Sequence, residues 1–262
     1  MPELLEVELY RRLAEGALGR PVSRVSVPDP HCLRHTSPAE VGRALSGEPL
    51  NAARRRGKLL LLDGSRATLG VHFGMTGGLV VDDRLAIDRL RYGPGIFAAR
   101  WVRFEVAFAD GGHLALHDPR RLARAELAPD EEALGPDALG VALGDLRAAL
   151  AVRAGTAGPP LKARLLDQSK LAGIGNLLAD EILWRASLRP SRPCGSLTGP
   201  DLRRLHSHLA VTLRELGARG GSHTGDLMEQ RRPGGACPRD GAALERSVVG
   251  GRTTWWCPRH QR

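Results

Sequence analysis

The sequence predicts an α+β protein, with an N-terminal helix plus an antiparallel β-sandwich, then a helical domain ending in a C-terminal β-hairpin. Three observations point there. Short β-prone runs broken by Gly and Asp-Gly turns fill residues 22–127. Helical spacing takes over from about Asp130. Two cysteines, Cys237 and Cys257, sit in a tail entered through the glycine-rich stretch from Gly220 to Gly235.

The elements follow in order. Leu4, Val7, Leu13 and Leu18 recur at roughly helical spacing, so residues 3–18 read as a helix closed by Gly19. Strands are expected at Arg24–Val27, Lys58–Leu62, Ala67–Phe73, Gly78–Val81, Trp101–Ala109 and His113–His117. Asp110-Gly111-Gly112 reads as the hairpin turn joining the last two. Helices are expected at Leu146–Ala154, Lys162–Leu166, Asn176–Ala186 and Pro200–Arg219, with prolines between them as breaks. The expected domains are 1–128, 129–225 and 226–262.

With 262 residues, 42% of them hydrophobic, the chain can bury a real core. Aromatics are only 4%, so Leu, Val and Ala must build it. No apolar run approaches the roughly 20 residues of a membrane span, and no basic flank precedes an apolar stretch as in a signal peptide. A soluble cytosolic monomer with no membrane partner is expected. The net charge of +9 favours an anionic partner, nucleic acid above all, or reflects an arginine-rich composition. Of 38 basic residues only Lys58, Lys162 and Lys170 are lysines. A lysine kept against that background hints at a site needing a compact ammonium.

The start reads Met-Pro-Glu-Leu-Leu-Glu. Removal of Met1 would expose Pro2 as a secondary amine. An α-amine titrates at about 7.7–8.0, so part of it is neutral and nucleophilic near neutrality, and a helix N-terminus disfavours its cation further. Attack on a sugar C1′ would give an iminium, with Glu3 beside it for proton transfer. A proline simply opening a helix fits the same residues.

This opening resembles that of the formamidopyrimidine-DNA glycosylase and endonuclease VIII (Fpg/Nei) family, with Leu5 in place of a second proline. The resemblance continues through Arg54-Arg55-Arg56-Gly57-Lys58, His72-Phe73-Gly74-Met75-Thr76-Gly77 and Asp118-Pro119-Arg120-Arg121-Leu122. It extends through Asp167-Gln168 and Gly173-Ile174-Gly175-Asn176 to Ala179-Asp180-Glu181-Ile182-Leu183, then Gly250-Gly251-Arg252-Thr253-Thr254. It implies a helix–two-turn–helix domain with a zinc-finger-like hairpin, and damaged double-stranded DNA held in a basic cleft between the domains. Pro2 is implied as nucleophile, with Glu3, Glu6 and Lys58 at the catalytic site. Met75 and Leu122 would fill the space left by a flipped base, and Arg120 would pair with the orphaned partner. Leu122 stands where the family has Phe. Lys162, Asn176 and Arg252 are implied as DNA-binding residues, and the helix start at Asn176 offers N–H groups to phosphate.

The tail departs from the family's four-cysteine finger. Its spacing holds Cys237, Asp240, Cys257 and His260. All four are legitimate zinc ligands, so a structural zinc ion and a metal-free finger both stay open. The segment before Cys237 is also shorter than in the Fpg branch, where a loop closes over flipped 8-oxoguanine. The implied activity is a DNA glycosylase with AP lyase action that excises a damaged, oxidised base and cuts the strand by β,δ-elimination. The alternative is a paralogue that binds abasic or adducted DNA without turnover.

Overall fold

Leu4, Val7, Tyr10 and Ala14 share one face of a helix, and all four are buried. In the computed structural model, which describes residues 2–87 and 98–262, they lie on α1 (Leu4–Ala14). The helix is shorter than expected: a 3₁₀ turn, Glu15–Ala17, ends it before Gly19 turns back at φ +72°. The chain divides into two compact units. One holds Pro2 and Glu6–Glu131, and the other holds Glu3–Leu5 and Glu132–Arg262. Met1 lies outside the described residues.

The first unit is the expected antiparallel sandwich. Its strands are β1 (Val22–Ser26), β2 (Leu50–Arg56), β3 (Leu59–Gly64), β4 (Thr68–His72), β5 (Gly78–Val81), β6 (Arg84–Leu85), β7 (Val102–Phe108), β8 (His113–His117) and β9 (Arg124–Leu127). They form a five-stranded sheet, β1-β7-β8-β5-β6, and a four-stranded sheet, β2-β3-β4-β9. Alternation decides which side chains enter the core. Leu60, Leu62, Leu69 and Val71 from one sheet join Leu79, Phe104, Val106, Leu114 and Leu116 from the other in a single cluster. Asp110-Gly111-Gly112 forms the β7–β8 hairpin turn, with Gly111 at φ +88° and the Gly112 N–H donating to Asp110 Oδ1 at 3.0 Å.

Four elements of the first unit went unread in the sequence: α2, β2, β6 and β9. A helix, α2 (Pro38–Leu45), starts at Ser37, whose side chain and that of Glu40 form a reciprocal capping box. The basic run Arg54–Arg56 lies on β2, and Lys58 sits not in a strand but in the turn to β3. Gly57 makes that turn at φ +57°, a conformation costly for other residues.

The second unit contains α3 (Leu143–Leu150), α4 (Leu161–Leu166), α5 (Asn176–Arg185) and α6 (Gly199–Ala218). From Leu177 to Arg185 every residue of α5 is buried. A helix surrounded on all sides is the axis of its domain rather than a surface element. Leu4 and Leu5 pack into the same core as Leu178, Ile182, Leu205 and Leu209. The hairpin β10 (Glu245–Val249) and β11 (Arg252–Trp256) closes the chain. A small core of Trp184, Leu227, Cys237, Leu244, Trp255 and Cys257 supports it. Among the described residues no helix is long and apolar enough to cross a membrane.

Candidate active site and metal-ligand cluster

Pro2 is buried two residues ahead of the first residue of α1. One peptide bond further on, Glu3 is 1% exposed. Its Oε2 accepts the N–H groups of Gly175 at 2.9 Å and Leu178 at 3.1 Å, and its Oε1 accepts that of Leu177 at 2.8 Å. The N-terminus of α5 has no cap of its own, so a carboxylate from the other end of the chain satisfies its open donors. Leu4 adds a backbone bond, its N–H donating to the Gly173 carbonyl at 3.1 Å. Gly175 is required for this approach, because a methyl there would lie 2.2 Å from the Glu3 carboxyl carbon. Glu6 is buried one turn along α1; burial of the Tyr10 phenol, then the charge of Glu6, pushes that phenol far above its usual range.

This geometry revises one expectation. The N–H groups of Gly175, Leu177 and Leu178 at the start of α5 are not open to phosphate, because Glu3 holds them. Asn176, half-buried at that start, keeps a buried amide oxygen without a hydrogen-bond partner among the described residues. Lys162 is revised more strongly. Expected at the DNA, it is 0% exposed. Its Nζ lies 2.6 Å from Asp180 Oδ1 and donates to Thr254 Oγ1 at 2.8 Å and to the Thr253 carbonyl at 3.2 Å. Burial pushes its ammonium below the usual lysine range, against the pull of Asp180. Arg252 is exposed at the start of β11.

In the first unit, Asp118 organises two loops. It is 0% exposed, and its carboxylate accepts Thr76 Oγ1 at 2.5 Å and the N–H groups of Arg120, Leu122 and Ala123 at 3.1, 2.6 and 2.7 Å. Thr76 follows Met75, so one buried charge ties the Met75 turn to the Arg120–Leu122 loop. Gly74 seals the contact, because a methyl there would lie 2.6 Å from the Leu122 carbonyl. Arg120 and Leu122 are exposed on this braced loop, and Met75 is half-buried. Arg121 is held at φ +57°, with its guanidinium bound to Asp29 at 2.7 and 2.8 Å.

Lys58 is half-buried in its turn, which Arg55 braces through a 2.9 Å bond to the Gly57 carbonyl. His72 stands close by, paired with Leu59 across the sheet. Although its side chain is exposed at the end of β4, local desolvation of the ring, then the charges of Lys58, Arg34 and Arg124, push its imidazole below the usual range. Its Nδ1 accepts the Gly74 N–H at 3.1 Å, which also requires the neutral ring. Asp118 and His72 lie within two of the family-like motifs, and the sequence pattern assigns neither a role. An Asp-Pro ahead of basic residues, and a histidine beside a lysine-bearing turn, were the available signals.

In the tail, the spacing rule brings together what it named. The ligand atoms of Cys237, Asp240, Cys257 and His260 all lie within 4.8 Å of one another. Cys237 Sγ is 3.7 Å from His260 Nδ1, Asp240 Oδ2 is 2.9 Å from His260 Nδ1, and Cys257 Sγ is 3.4 Å from Asp240 Oδ2. Tetrahedral zinc with about 2.3 Å sulfur and 2.0 Å nitrogen bonds gives edges of about 3.3–3.8 Å, so the set fits with small adjustments. His260 Nε2 faces the Trp184 carbonyl at 3.3 Å, which aims the Nδ1 lone pair into the cluster. Trp184 Nε1 donates to Cys237 Sγ at 3.3 Å, a contact from α5 that sequence reading did not foresee. The Ala242 N–H, then the His260 ring, hold the Asp240 carboxyl well below the usual carboxylate range.

A family model for the formamidopyrimidine-DNA glycosylase N-terminal domain matches residues 1–125, and one for the corresponding H2TH domain matches 134–226. The chain is 33% identical to a formamidopyrimidine-DNA glycosylase of Geobacillus kaustophilus, with 100% of both chains covered. It is 37% identical to one of Thermus thermophilus, covering 98% of this chain and 97% of that one. A solved complex of Lactococcus lactis Fpg with DNA containing FAPY-dG is similar at a TM-score of 0.82 and 25% identity, covering 99% of this chain and 100% of that one.

Two tests follow. Gly175→Ala expels the Glu3 carboxylate from its donors and costs about 2 kcal/mol of unfolding free energy in urea titration; wild-type stability would show that the Glu3 contacts contribute nothing. The fold favours neutral His72, so below the ordinary imidazole value of 6.5 the unfolded chain takes up the proton more readily and stability falls with pH. His72→Gln removes that share, so it loses less stability than wild type on acidification from about pH 7 to about pH 5. An equal loss in both proteins would place the acid sensitivity elsewhere.

Proposed function

The chain belongs to the Fpg/Nei family of formamidopyrimidine-DNA glycosylases, and on that premise we propose that it is a bifunctional DNA glycosylase and AP lyase of base-excision repair. The observation that carries this reading is the fastening of Glu3 to the start of α5 by three N–H bonds. It anchors the residue next to Pro2, and a nucleophile needs a fixed position more than it needs intrinsic reactivity.

With Met1 removed, the Pro2 nitrogen attacks C1′ of a flipped nucleotide. The C1′–N bond breaks and the base leaves with its electron pair and a proton. The sugar ring opens to an iminium on Pro2. Loss of a C2′ proton expels the 3′ phosphate (β-elimination), and a second elimination expels the 5′ phosphate (δ-elimination). Water then hydrolyses the iminium and restores the amine. Glu3 moves protons at the sugar. Glu6 supports the same end of α1. Lys58 neutralises the phosphates at the lesion, joined by Asn176 and Arg252.

Met75 and Leu122 fill the space vacated by the flipped base, and Arg120 bonds to the base left behind. Asp118 makes this plausible energetically: it holds the exposed Leu122 and Arg120 backbone rigid, so little ordering entropy is lost on insertion. The substrate class is double-stranded DNA carrying an oxidised or ring-opened base. The protein acts as a monomer in the cytosol.

Cys237, Asp240, Cys257 and His260 would hold a structural zinc ion, which when bound would cross-link the finger and leave the reaction to the side chains.

Borohydride reduction during reaction with abasic-site duplex should trap a covalent protein–DNA adduct, and Pro2→Gly or retention of Met1 should reduce it to background. No adduct from the wild-type protein would refute the lyase reading and leave the non-catalytic paralogue. Metal analysis of the purified protein should find about one zinc per chain, lost in Cys257→Ala together with part of the thermal stability. A metal-free wild-type protein with unchanged stability would refute the zinc assignment.

A further inference from the structure

Arg252 is exposed, yet its backbone is tied inward. Its carbonyl accepts the Thr254 hydroxyl at 3.0 Å. That hydroxyl in turn accepts a bond from Lys162 Nζ at 2.8 Å, while Nζ also holds the Thr253 carbonyl at 3.2 Å. Behind Lys162 stands Asp180, with Oδ1 2.6 Å from Nζ. The other carboxylate oxygen takes the Trp255 N–H at 3.3 Å and the Arg231 guanidinium. Lys162, Asp180 and Thr254 are each 0% exposed. The turn that precedes Arg252 is fixed from the same side, because a methyl at Gly250 would lie 2.9 Å from Cβ of Ala163, the residue after Lys162.

A buried ion pair of this kind contributes little net stability, since an apolar set of equal volume often does as well. What it does supply is direction. A two-stranded hairpin on its own is marginally stable and free to pivot. The chain of contacts from Asp180 through Lys162 and Thr254 removes that freedom at the residue that carries the exposed guanidinium. Asp180 lies one turn along α5 from Asn176, and Arg231 also donates to the Asn176 carbonyl at 3.5 Å. Asn176 and Arg252 therefore share one frame within the second unit.

We propose that Thr254, held by the Lys162–Asp180 pair, is a positioning residue that sets Arg252 for contact with a DNA phosphate. This rests on the assignment of Arg252 as a phosphate ligand made above.

The test is a double-mutant cycle on the full chain. Thr254→Val keeps the shape of a buried strand residue and removes the hydroxyl, whereas Lys162→Met would strand Asp180 and risk unfolding. Binding is measured on a duplex carrying a tetrahydrofuran abasic analogue over a range of potassium chloride concentrations. Thr254→Val should weaken binding about tenfold and lower the slope of log K against log salt by about 1, the signature of one lost phosphate contact. Thr254→Ser, which keeps the hydroxyl, should bind as wild type does. In an Arg252→Ala background, Thr254→Val should add less than about a twofold loss. Equal losses in both backgrounds, or a Ser variant as weak as the Val variant, would overturn the positioning role while leaving the DNA reading intact. An Arg252→Ala protein with unchanged affinity and slope would overturn both.

Discussion

The carboxylate of Glu3 on the N-terminus of α5 is the constraint from which the proposed chemistry follows. It joins the third residue of the chain to donors more than 170 positions away. It satisfies a buried helix end that has no cap of its own, and it does so with a full negative charge at the positive end of the helix dipole. Without it, three buried N–H groups would lack partners, and the residue next to Pro2 would lose its anchor. Stability and the placing of the nucleophile are thus the same interaction.

The same device recurs. Asp118 gathers three backbone N–H groups and a hydroxyl to set the Met75 and Arg120–Leu122 loops. Glu181 takes the N–H groups of Asp226 and Leu227, with Arg185 paired at 2.7 Å, and so pins the segment ahead of the finger. Asp180 does likewise for Trp255. In a chain of net charge +9, these acids are spent inside, as acceptors for loop backbone, while Arg120 and Arg252 stay at the surface. Glycines make two of these approaches possible: a side chain at Gly175 or Gly225 would collide with the carboxylate of Glu3 or Glu181. The invasive carboxylate, rather than a phosphate, explains the glycine before α5.

Much of this could be read from the residues alone. Gly78–Val81 and His113–His117 were legible to the residue, because apolar runs bounded by turn residues leave little choice. The cluster of Cys237, Asp240, Cys257 and His260 was legible through the resemblance to the family's four-cysteine finger, whose spacing these residues keep. β2 was hidden because its arginines mask the alternation of a strand in which only Leu50 is fully buried. Lys162 shows a sharper limit. Its rarity marked it as special but could not say whether it faces outward or inward, which depends on Asp180, a contact made only when α4 and α5 pack. The capping of α5 by Glu3 was illegible for the same reason: local pattern predicts helix ends, not which distant charge arrives to satisfy them.

The central claim is that the anchored N-terminus presents the Pro2 nitrogen as the nucleophile. Peptide mapping by tandem mass spectrometry of the borohydride-reduced adduct tests it most directly. The DNA remnant should be found on a peptide that begins at Pro2, bonded to its ring nitrogen. A remnant on Lys58, Lys170 or any other side chain, with the Pro2 nitrogen unmodified, would contradict it.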